Sequence, residues 1–123
     1  MVANDPSGLR RRRAQRRGRF AEYLAAAFLL VKGYRIIAIR FRTKAGEIDI
    51  IARKGDLAIF VEVKARVGER EAVDAVSATA QRRIRAASDV WLSKRSDAAR
   101  LSQRYDVVAV LPCRLPRHYP DAF

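Results

Sequence analysis

The sequence predicts an α/β (α+β) fold in which helices flank one mixed β-sheet, in the order helix, three strands, helix, strand. Three observations predict it. A helical pattern of apolar residues precedes three short apolar segments that turn residues separate. A second helical pattern and one more apolar segment follow. A length of 123 residues, 50% of them hydrophobic, suits one domain with a single core.

The first helix is predicted over residues 15–32, where apolar residues recur at helical spacing and Gly33 follows as a stop. Since this helix is apolar nearly all round after its first turn, we expect more than one neighbour to bury it. The residues before it mix Pro, Gly and a run of arginines, which is typical of a disordered basic arm. The expected organisation is an arm, one domain and a C-terminal tail, at residues 1–14, 15–111 and 112–123.

Turn residues at 44–46 and 54–56 join three predicted strands into an antiparallel meander. The strands are expected at residues 35–42, 47–53 and 57–65. A long helix is predicted next, over about residues 72–94, with Trp91 on its apolar, core-facing side. The last strand, residues 105–111, arrives after this helical crossover, so we expect it to pair in parallel.

Basic residues dominate the charge, with 26 Lys and Arg against 13 Asp and Glu. Arginine supplies 21 of the 26, and its planar guanidinium suits phosphate, so the composition favours a polyanionic partner. Seven arginines lie between residues 10 and 19, and removing them lowers the net charge only from +13 to +6. A GC-rich genome would also enrich arginine without any function, and composition alone leaves that alternative open.

Several classes of protein are excluded by what the chain lacks. With one cysteine, Cys113, and one histidine, His118, it has neither a disulfide framework nor a His/Cys zinc site. We expect His118 to have no partner and no catalytic role. The longest apolar run, residues 23–31, is too short to span a bilayer, and no secretory signal precedes it. We therefore expect a cytoplasmic protein with no membrane partner.

Charged residues interrupt two of the predicted strands within the stretch GEIDIIARKGDLAIFVEVKAR at residues 46–66. Alternate strand residues share a face, so Asp49 is expected on the face of Ile51, and Glu62 on that of Lys64. If the hairpin sets the strands side by side, Asp49, Glu62 and Lys64 converge within roughly 5 to 8 Å. Two carboxylates that close raise each other's pKa unless a divalent cation lies between them, and oxygen ligands suit Mg²⁺ or Mn²⁺.

Such a group has a chemical interpretation. A metal held by Asp49 and Glu62 could polarise a phosphodiester oxygen, while Lys64 orients the attacking water or neutralises charge on phosphorus. The reaction would be hydrolysis of a nucleic-acid backbone. The alternative is an ordinary Glu–Lys pair at a solvated sheet edge, with Asp49 capping a turn, and the pattern alone gives both interpretations equal weight.

Asp49, a gap of 12 residues and then Glu62-Val63-Lys64 resemble the D…(D/E)xK motif of the PD-(D/E)XK nuclease superfamily, whose restriction-endonuclease-like core has the order αβββαβ. Further segments resemble the YraN-like family of small bacterial proteins, grouped with Holliday-junction-resolvase-like endonucleases. These segments are GRFAE at 18–22, GEIDII at 46–51, FVEVKAR at 60–66 and YDVVAV at 105–110. The resemblance covers residues 15–111.

This resemblance implies a metal-dependent endonuclease that acts on structured or branched DNA, with Mg²⁺ or Mn²⁺ as cofactor. Asp49 and Glu62 would be metal ligands, the backbone carbonyl of Val63 a third, and Lys64 the catalytic lysine. Resolvase-like relatives that cut two strands work as dimers, which implies a homodimer by analogy. The alternative is a non-catalytic nucleic-acid-binding module that retains the nuclease fold.

The resemblance also implies roles for two further residues, and each has an alternative interpretation. Glu22 corresponds to an acidic residue that superfamily members bring toward the metal, and would otherwise be a surface carboxylate paired with Arg19. Gln81 corresponds to a glutamine that follows a lysine in many relatives, but here Ala80 precedes it. Both Glu22 and Gln81 are candidate catalytic residues.

Arginines supply the candidate nucleic-acid contacts. Relatives commonly have Asn at the position of Arg40, whereas Arg42 matches their pattern. The alternative for each arginine is a solvated surface residue. The candidates are Arg40, Arg42, Arg82, Arg83, Arg10, Arg11, Arg12 and Arg13.

Overall fold

The computed structural model describes residues 6–65 and 76–123, with side chains from residue 18 onward. It confirms the α+β class and the order helix, three strands, helix, strand, and it adds a fifth strand at the C-terminus. The elements are α1 (Pro6–Val31), β1 (Arg35–Arg42), β2 (Glu47–Lys54), β3 (Leu57–Lys64), α2 (Ala78–Ser93), a 3-10 turn (Ala98–Arg100), β4 (Ser102–Ala109) and β5 (Arg117–Tyr119).

The five strands form one mixed sheet in the order β1-β2-β3-β4-β5. The first three strands form the expected antiparallel meander. β4 pairs in parallel with β3, as the helical crossover predicts, and β5 turns back antiparallel to β4. The acidic residues of β2 and β3 therefore lie on central strands, away from the edge strands β1 and β5.

The sheet is covered by a helix on each face. α1 packs through Ala21, Ala25 and Leu29 onto one apolar cluster of the sheet. α2 packs through Ile84, Ala87 and Trp91 onto the other cluster. Because both faces of the sheet are buried, nearly all residues of β2 and β3 are apolar. A charged residue on these strands lowers stability unless it has a partner.

Helix α1 begins at Pro6, so the backbone of residues 6–14 is helical where a disordered arm was expected. Proline is tolerated in the first helical turn, and arginine is a good helix former, which explains the longer helix. At the second helix, residues 72–75 of the expected span lie outside the described residues. α2 itself begins at Ala78, where the Ser77 hydroxyl accepts a hydrogen bond from the backbone N–H of Ala80 at 3.1 Å.

The segment after residue 111 is part of the sheet and core, which corrects the expectation of a simple tail. β5 pairs Val107 with Tyr119, and the Phe123 ring lies 5.5 Å from that of Tyr105. The segment between the prolines is short and its apolar and aromatic residues show little periodicity, so sequence pattern alone does not reveal this strand. Among the described residues, no helix combines the length and apolarity needed to cross a bilayer.

Candidate active site

β2 and β3 separate at the point where the acidic residues lie. Their paired residues end at Ile50 opposite Val61, and the same register continued by one places Asp49 opposite Glu62. There the Asp49 side chain replaces a backbone carbonyl, since its Oδ2 accepts the N–H of Val63 at 2.8 Å. In an extended strand the N–H and C=O of one residue point to the same side, so the Val63 carbonyl faces the same gap.

Face alternation also breaks at Asp49, which corrects the expected placement of this residue on the face of Ile51. Ile48 and Ile50 are two apart, yet they pack in opposite clusters of the core. The neighbouring strand changes sides at the same level, around Arg40, whose φ is +61°. A left-handed residue rotates a strand about its axis. Asp49 and Arg40 therefore lie where the alternation of faces breaks, although the β1–β2 register continues on both sides of them.

The carboxyl groups of Asp49 and Glu62 lie close enough for each to affect the pKa of the other. Burial, together with the neighbouring Asp49 charge, raises the pKa of Glu62 from 4.5 to about 8. Burial also raises the pKa of Asp49, although the Val63 amide opposes the effect. Lys64 Nζ lies 3.8 Å from Glu62 Oε1 and favours the ionised carboxylate, with both side chains 19% exposed. Of the three residues expected to converge, Asp49 and Lys64 each lie beside Glu62.

Glu22 projects from α1 toward this acidic pair, and its charge contributes to the raised pKa of Asp49. Its partner is Arg40, whose Nε donates to Glu22 Oε1 at 2.6 Å, and the expected alternative of a surface pair with Arg19 is not adopted. A pocket of about 90 Å³ lies between α1, β1 and β2. It is lined by Glu22, Arg40, Arg42, Glu47, Ile48 and Asp49.

The donor set fits a hard divalent cation that keeps several of its waters. Asp49 and Glu62 offer carboxylate oxygens, the Val63 carbonyl faces the same gap, and the raised pKa values indicate that cationic compensation is incomplete without a bound ion. Within residues 6–65 and 76–123, no three Asp, Glu, His or Cys side chains cluster as a ready-made metal site. A metal here would be bound by two carboxylates rather than by an all-protein cage.

Of the remaining predicted residues, Arg42 lines the pocket, whereas Gln81 and Arg82 have their hydrogen-bond partners elsewhere. The Gln81 amide donates to the Val76 carbonyl at 3.1 Å, at the start of α2. Arg42 lies 3.6 Å from Glu47 and is exposed, and Arg82 is exposed and donates to Thr79. The side chains of Arg10, Arg11, Arg12 and Arg13 lie outside the described residues. Arg83 is also exposed. Its backbone carbonyl lies so close to Gly46 that a side chain at Gly46 would clash with it.

A second polar group was not anticipated. Asp106 is fully buried, and it accepts hydrogen bonds from Arg104 at 2.8 and 2.7 Å and from the backbone N–H of Asp121. His118 Nε2 lies 2.7 Å from Asp106, which corrects the expectation that His118 has no partner. Burial alone would raise the pKa of Asp106, but these hydrogen bonds outweigh it and lower the pKa to about 2.

This group ties β5 to β4 and closes the C-terminal end of the fold. The Arg104 guanidinium also donates to the hydroxyl of Tyr34 at 3.0 Å, which joins β4 to the segment after α1. The signal in the sequence was Asp106 itself, a lone carboxylate inside the apolar run YDVVAV. A buried carboxylate requires partners, but nothing in the local sequence identifies them.

The model of the uncharacterised protein family UPF0102 matches residues 21–110, which include every residue of the acidic group. The chain belongs to the UPF0102 family. This confirms the resemblance to the YraN-like family on which the site residues were assigned. The UPF0102 match spans α1 from its buried half onward and ends just after β4.

Several UPF0102 proteins of bacteria match this chain along all or nearly all of its length. One from Rhizobium leguminosarum bv. trifolii is 70% identical over 123 residues, which is all of both chains. One from Sinorhizobium fredii is 66% identical over 123 residues, again all of both chains. One from Agrobacterium fabrum is 61% identical over 122 residues, covering 99% of this chain and all of its own.

Proposed function

We propose that this protein is a metal-dependent endonuclease that hydrolyses phosphodiester bonds of nucleic acid, with structured or branched DNA as the substrate class. The observation that carries the proposal is the separation of β2 and β3. There two partly buried carboxyl groups meet at Asp49 and Glu62, and an ammonium group lies 3.8 Å from one of them. In the absence of a cation this arrangement costs free energy, so a role in binding one explains why it exists.

Asp49 and Glu62 would hold Mg²⁺ or Mn²⁺, with the Val63 carbonyl as a third ligand. When bound, such an ion supplies Lewis-acid polarisation of a phosphoryl oxygen and lowers the pKa of a coordinated water. Lys64 is close enough to Glu62 to orient the attacking water or to stabilise negative charge that develops on the phosphoryl group. Glu22 positions Arg40 beside the pocket, where its guanidinium can contact a phosphate.

Charge supports nucleic acid as the partner. The net charge is +13, and the arginine-rich start of α1 would bind backbone phosphates without sequence preference. The exposed Arg42 and Arg82 are further candidates for phosphate contacts, with Arg83 and the arginines at 10–13. A lone cysteine without a disulfide partner in the sequence supports a reducing location, and we place the protein in the cytoplasm.

The test is cleavage of end-labelled DNA by the purified full-length protein, with Mg²⁺ or Mn²⁺. Four-way junctions, flaps, duplexes and single strands are compared. We expect the wild type to cut at least one of them and Lys64→Ala to lose the activity, because it removes the ammonium beside Glu62. Lys94→Ala is the matched control, since it removes the same charge at the far end of α2.

Two outcomes would overturn the proposal. Cleavage that survives combined Asp49→Ala and Glu62→Ala substitution would identify a contaminant. The second outcome combines two results: the wild type does not cleave, and calorimetry detects no Mn²⁺ binding that depends on Asp49. It would show that the acidic pair binds no metal.

A non-catalytic nucleic-acid-binding module is the second candidate. One observation favours it: in the described part of the chain no third acidic or histidine side chain completes the pair, and Glu22 is already neutralised by Arg40. It predicts DNA binding that weakens steeply with salt but persists in EDTA and in Asp49→Asn. Fluorescence anisotropy with labelled DNA measures the binding, and the cleavage assay on the same DNA separates the two candidates, because only the endonuclease turns over when the metal is added.

A further inference from the structure

A basic pocket lies at the end of β2 away from the acidic pair. It has a volume of about 250 Å³. Two turns form it, the one that follows α1 and the hairpin between β2 and β3. We call it the hairpin pocket, and its lining consists of Gly33, Arg35, Arg53, Lys54 and Gly55.

The two turns depend on glycines in the left-handed region. Gly33 has a φ of +97° between α1 and β1, and Gly55 has a φ of +59° in the hairpin. Residues with a side chain rarely adopt such angles. Among the described residues, no atom beyond its chain neighbours lies within 4 Å of the point that a Cβ of Gly55 would occupy. The backbone therefore turns tightly here and leaves space beside the hairpin.

Positive charge in the hairpin pocket exceeds what nearby carboxylates neutralise. Arg53 is paired, since it lies 2.6 Å from Asp97 and 3.4 Å from Asp56. Arg35 and Lys54 are exposed, and neither forms an ion pair with a carboxylate in the part of the chain that the structure describes. Two cations therefore remain to bind an anion.

Lys54 is held in position at the hairpin pocket. Its Nζ donates to the backbone carbonyl of Lys32 at 3.1 Å and lies 5.3 Å from the centre of the Tyr34 ring. An ammonium group has three N–H donors, so two are left for a ligand. Because the side chain is already ordered, less conformational entropy is lost on binding. Arg35 adds a planar guanidinium, which suits the oxygens of a phosphate group.

Strands β1 and β2 connect the hairpin pocket to the acidic pair. Asp49 and Lys54 are five positions apart on β2, which is about 16 Å at a rise of about 3.3 Å per residue. β1 is an edge strand of the described sheet and contributes to both sites. It supplies Arg35 to the hairpin pocket, and Arg40 and Arg42 to the pocket beside the acidic pair.

We propose that the hairpin pocket binds a backbone phosphate of the nucleic acid, about five nucleotides from the phosphodiester that the acidic pair would cleave. The spacing follows from a rise of about 3.4 Å per nucleotide along one strand of a duplex. A strand that follows β1 reaches both sites, and a phosphate contact of this kind fixes its register without reading sequence. The distance to the cleaved bond rests on the proposed function, whereas the phosphate site does not.

DNA binding in EDTA tests the phosphate site in the absence of cleavage. Fluorescence anisotropy of a labelled duplex with the full-length protein, at about 50 to 200 mM NaCl, gives the slope of log affinity against log salt concentration. We expect Arg35→Gln combined with Lys54→Gln to reduce the slope by about 0.9, the contribution of one phosphate. Lys54→Gln alone should weaken binding. Lys94→Gln is its matched control, since it removes an exposed lysine at the end of α2, and it should bind as the wild type does.

Three results would overturn the phosphate site. The first is a wild type that binds no DNA. The second is a slope that the double variant leaves unchanged, although circular dichroism melts show that it is folded, which would leave these cations as charges that protect an edge strand from pairing. The third is an unchanged slope together with calorimetric binding of inorganic pyrophosphate that depends on Lys54, which would assign the pocket to a free phosphate ligand.

Neutral phosphates test the spacing on DNA whose cleavage position has been mapped. A single methylphosphonate about five nucleotides from the cut should weaken binding of the wild type but not of the double variant, because the variant has already lost that contact. Equal weakening of both proteins would overturn the spacing. Cleavage is measured separately, so a reduced slope without cleavage would retain the phosphate site and reject the nuclease, and cleavage with an unchanged slope would do the reverse.

Discussion

The raised pKa of Glu62 predicts that the metal-free protein loses stability as the pH rises. The folded state keeps the Glu62 proton up to about pH 8, whereas the unfolded chain releases it near pH 4.5. Between these values the folded state binds one more proton, so unfolding becomes easier by about 1.4 kcal/mol per pH unit. Allowing for partial ionisation near the folded pKa, the free energy of unfolding should fall by about 2 kcal/mol between pH 6 and pH 8.

Urea unfolding in EDTA at both pH values measures this fall, and thermal melts should show a midpoint lower by roughly 8 °C at pH 8. Glu62→Gln should abolish the fall, because the amide does not titrate. Glu47→Gln is the matched control, since Glu47 is a 57% exposed carboxylate on the adjacent strand, and it should keep the fall. Saturating Mn²⁺ should remove the fall by holding Glu62 ionised. If wild type and Glu62→Gln lose stability equally over this range, the close burial of the acidic pair is refuted.

Three further predictions concern the fold around the site. Gly46→Ala should lower the free energy of unfolding in a urea titration by about 2 kcal/mol or more, because the added methyl group would clash with the α2 backbone. Gly18→Ala is the control and should cause no loss, because the space around Gly18 is open. Asp49→Asn should raise the melting temperature in EDTA by a few degrees when the pH is above 8 and Glu62 is ionised, because it relieves repulsion and keeps an acceptor for the Val63 amide. A lower melting temperature under these conditions would contradict the close pair. His118→Ala should lower the free energy of unfolding by about 2 kcal/mol, because it removes a buried partner of Asp106. A loss below about 0.5 kcal/mol in urea unfolding would show that this contact does not hold the C-terminal segment.

Local pattern was sufficient for the framework of the fold. The meander, its two turns and the parallel final strand follow from apolar runs, turn residues and a helical crossover, which are short-range signals. Asp49, Glu62 and Lys64 were predictable as a group for a related reason. A tight hairpin fixes the register of its strands, and the register continued from Ile50 and Val61 brings the two carboxylates opposite each other.

The details of the site depended on contacts between distant parts of the chain. Sequence pattern assigned Asp49 to a face of a regular strand, whereas the alternation of faces breaks at Asp49, beside the left-handed Arg40 on the neighbouring strand. Arg40 in turn pairs with Glu22, which lies 18 residues away and was expected to pair, if at all, on its own helix. Neither effect has a local signal, because each arises where two elements pack.

The sequence by itself determined the α+β order, the basic character and the identity of the acidic group, since all of these depend on composition and on neighbours within a few residues. Only the tertiary structure decided that β2 and β3 separate at Asp49, that the C-terminal segment joins the sheet through Asp106 and His118, and that one side of α1 stays exposed. The physical reason is that burial and ion pairing depend on which surfaces meet in space, and a chain can bring together residues that its local pattern does not relate.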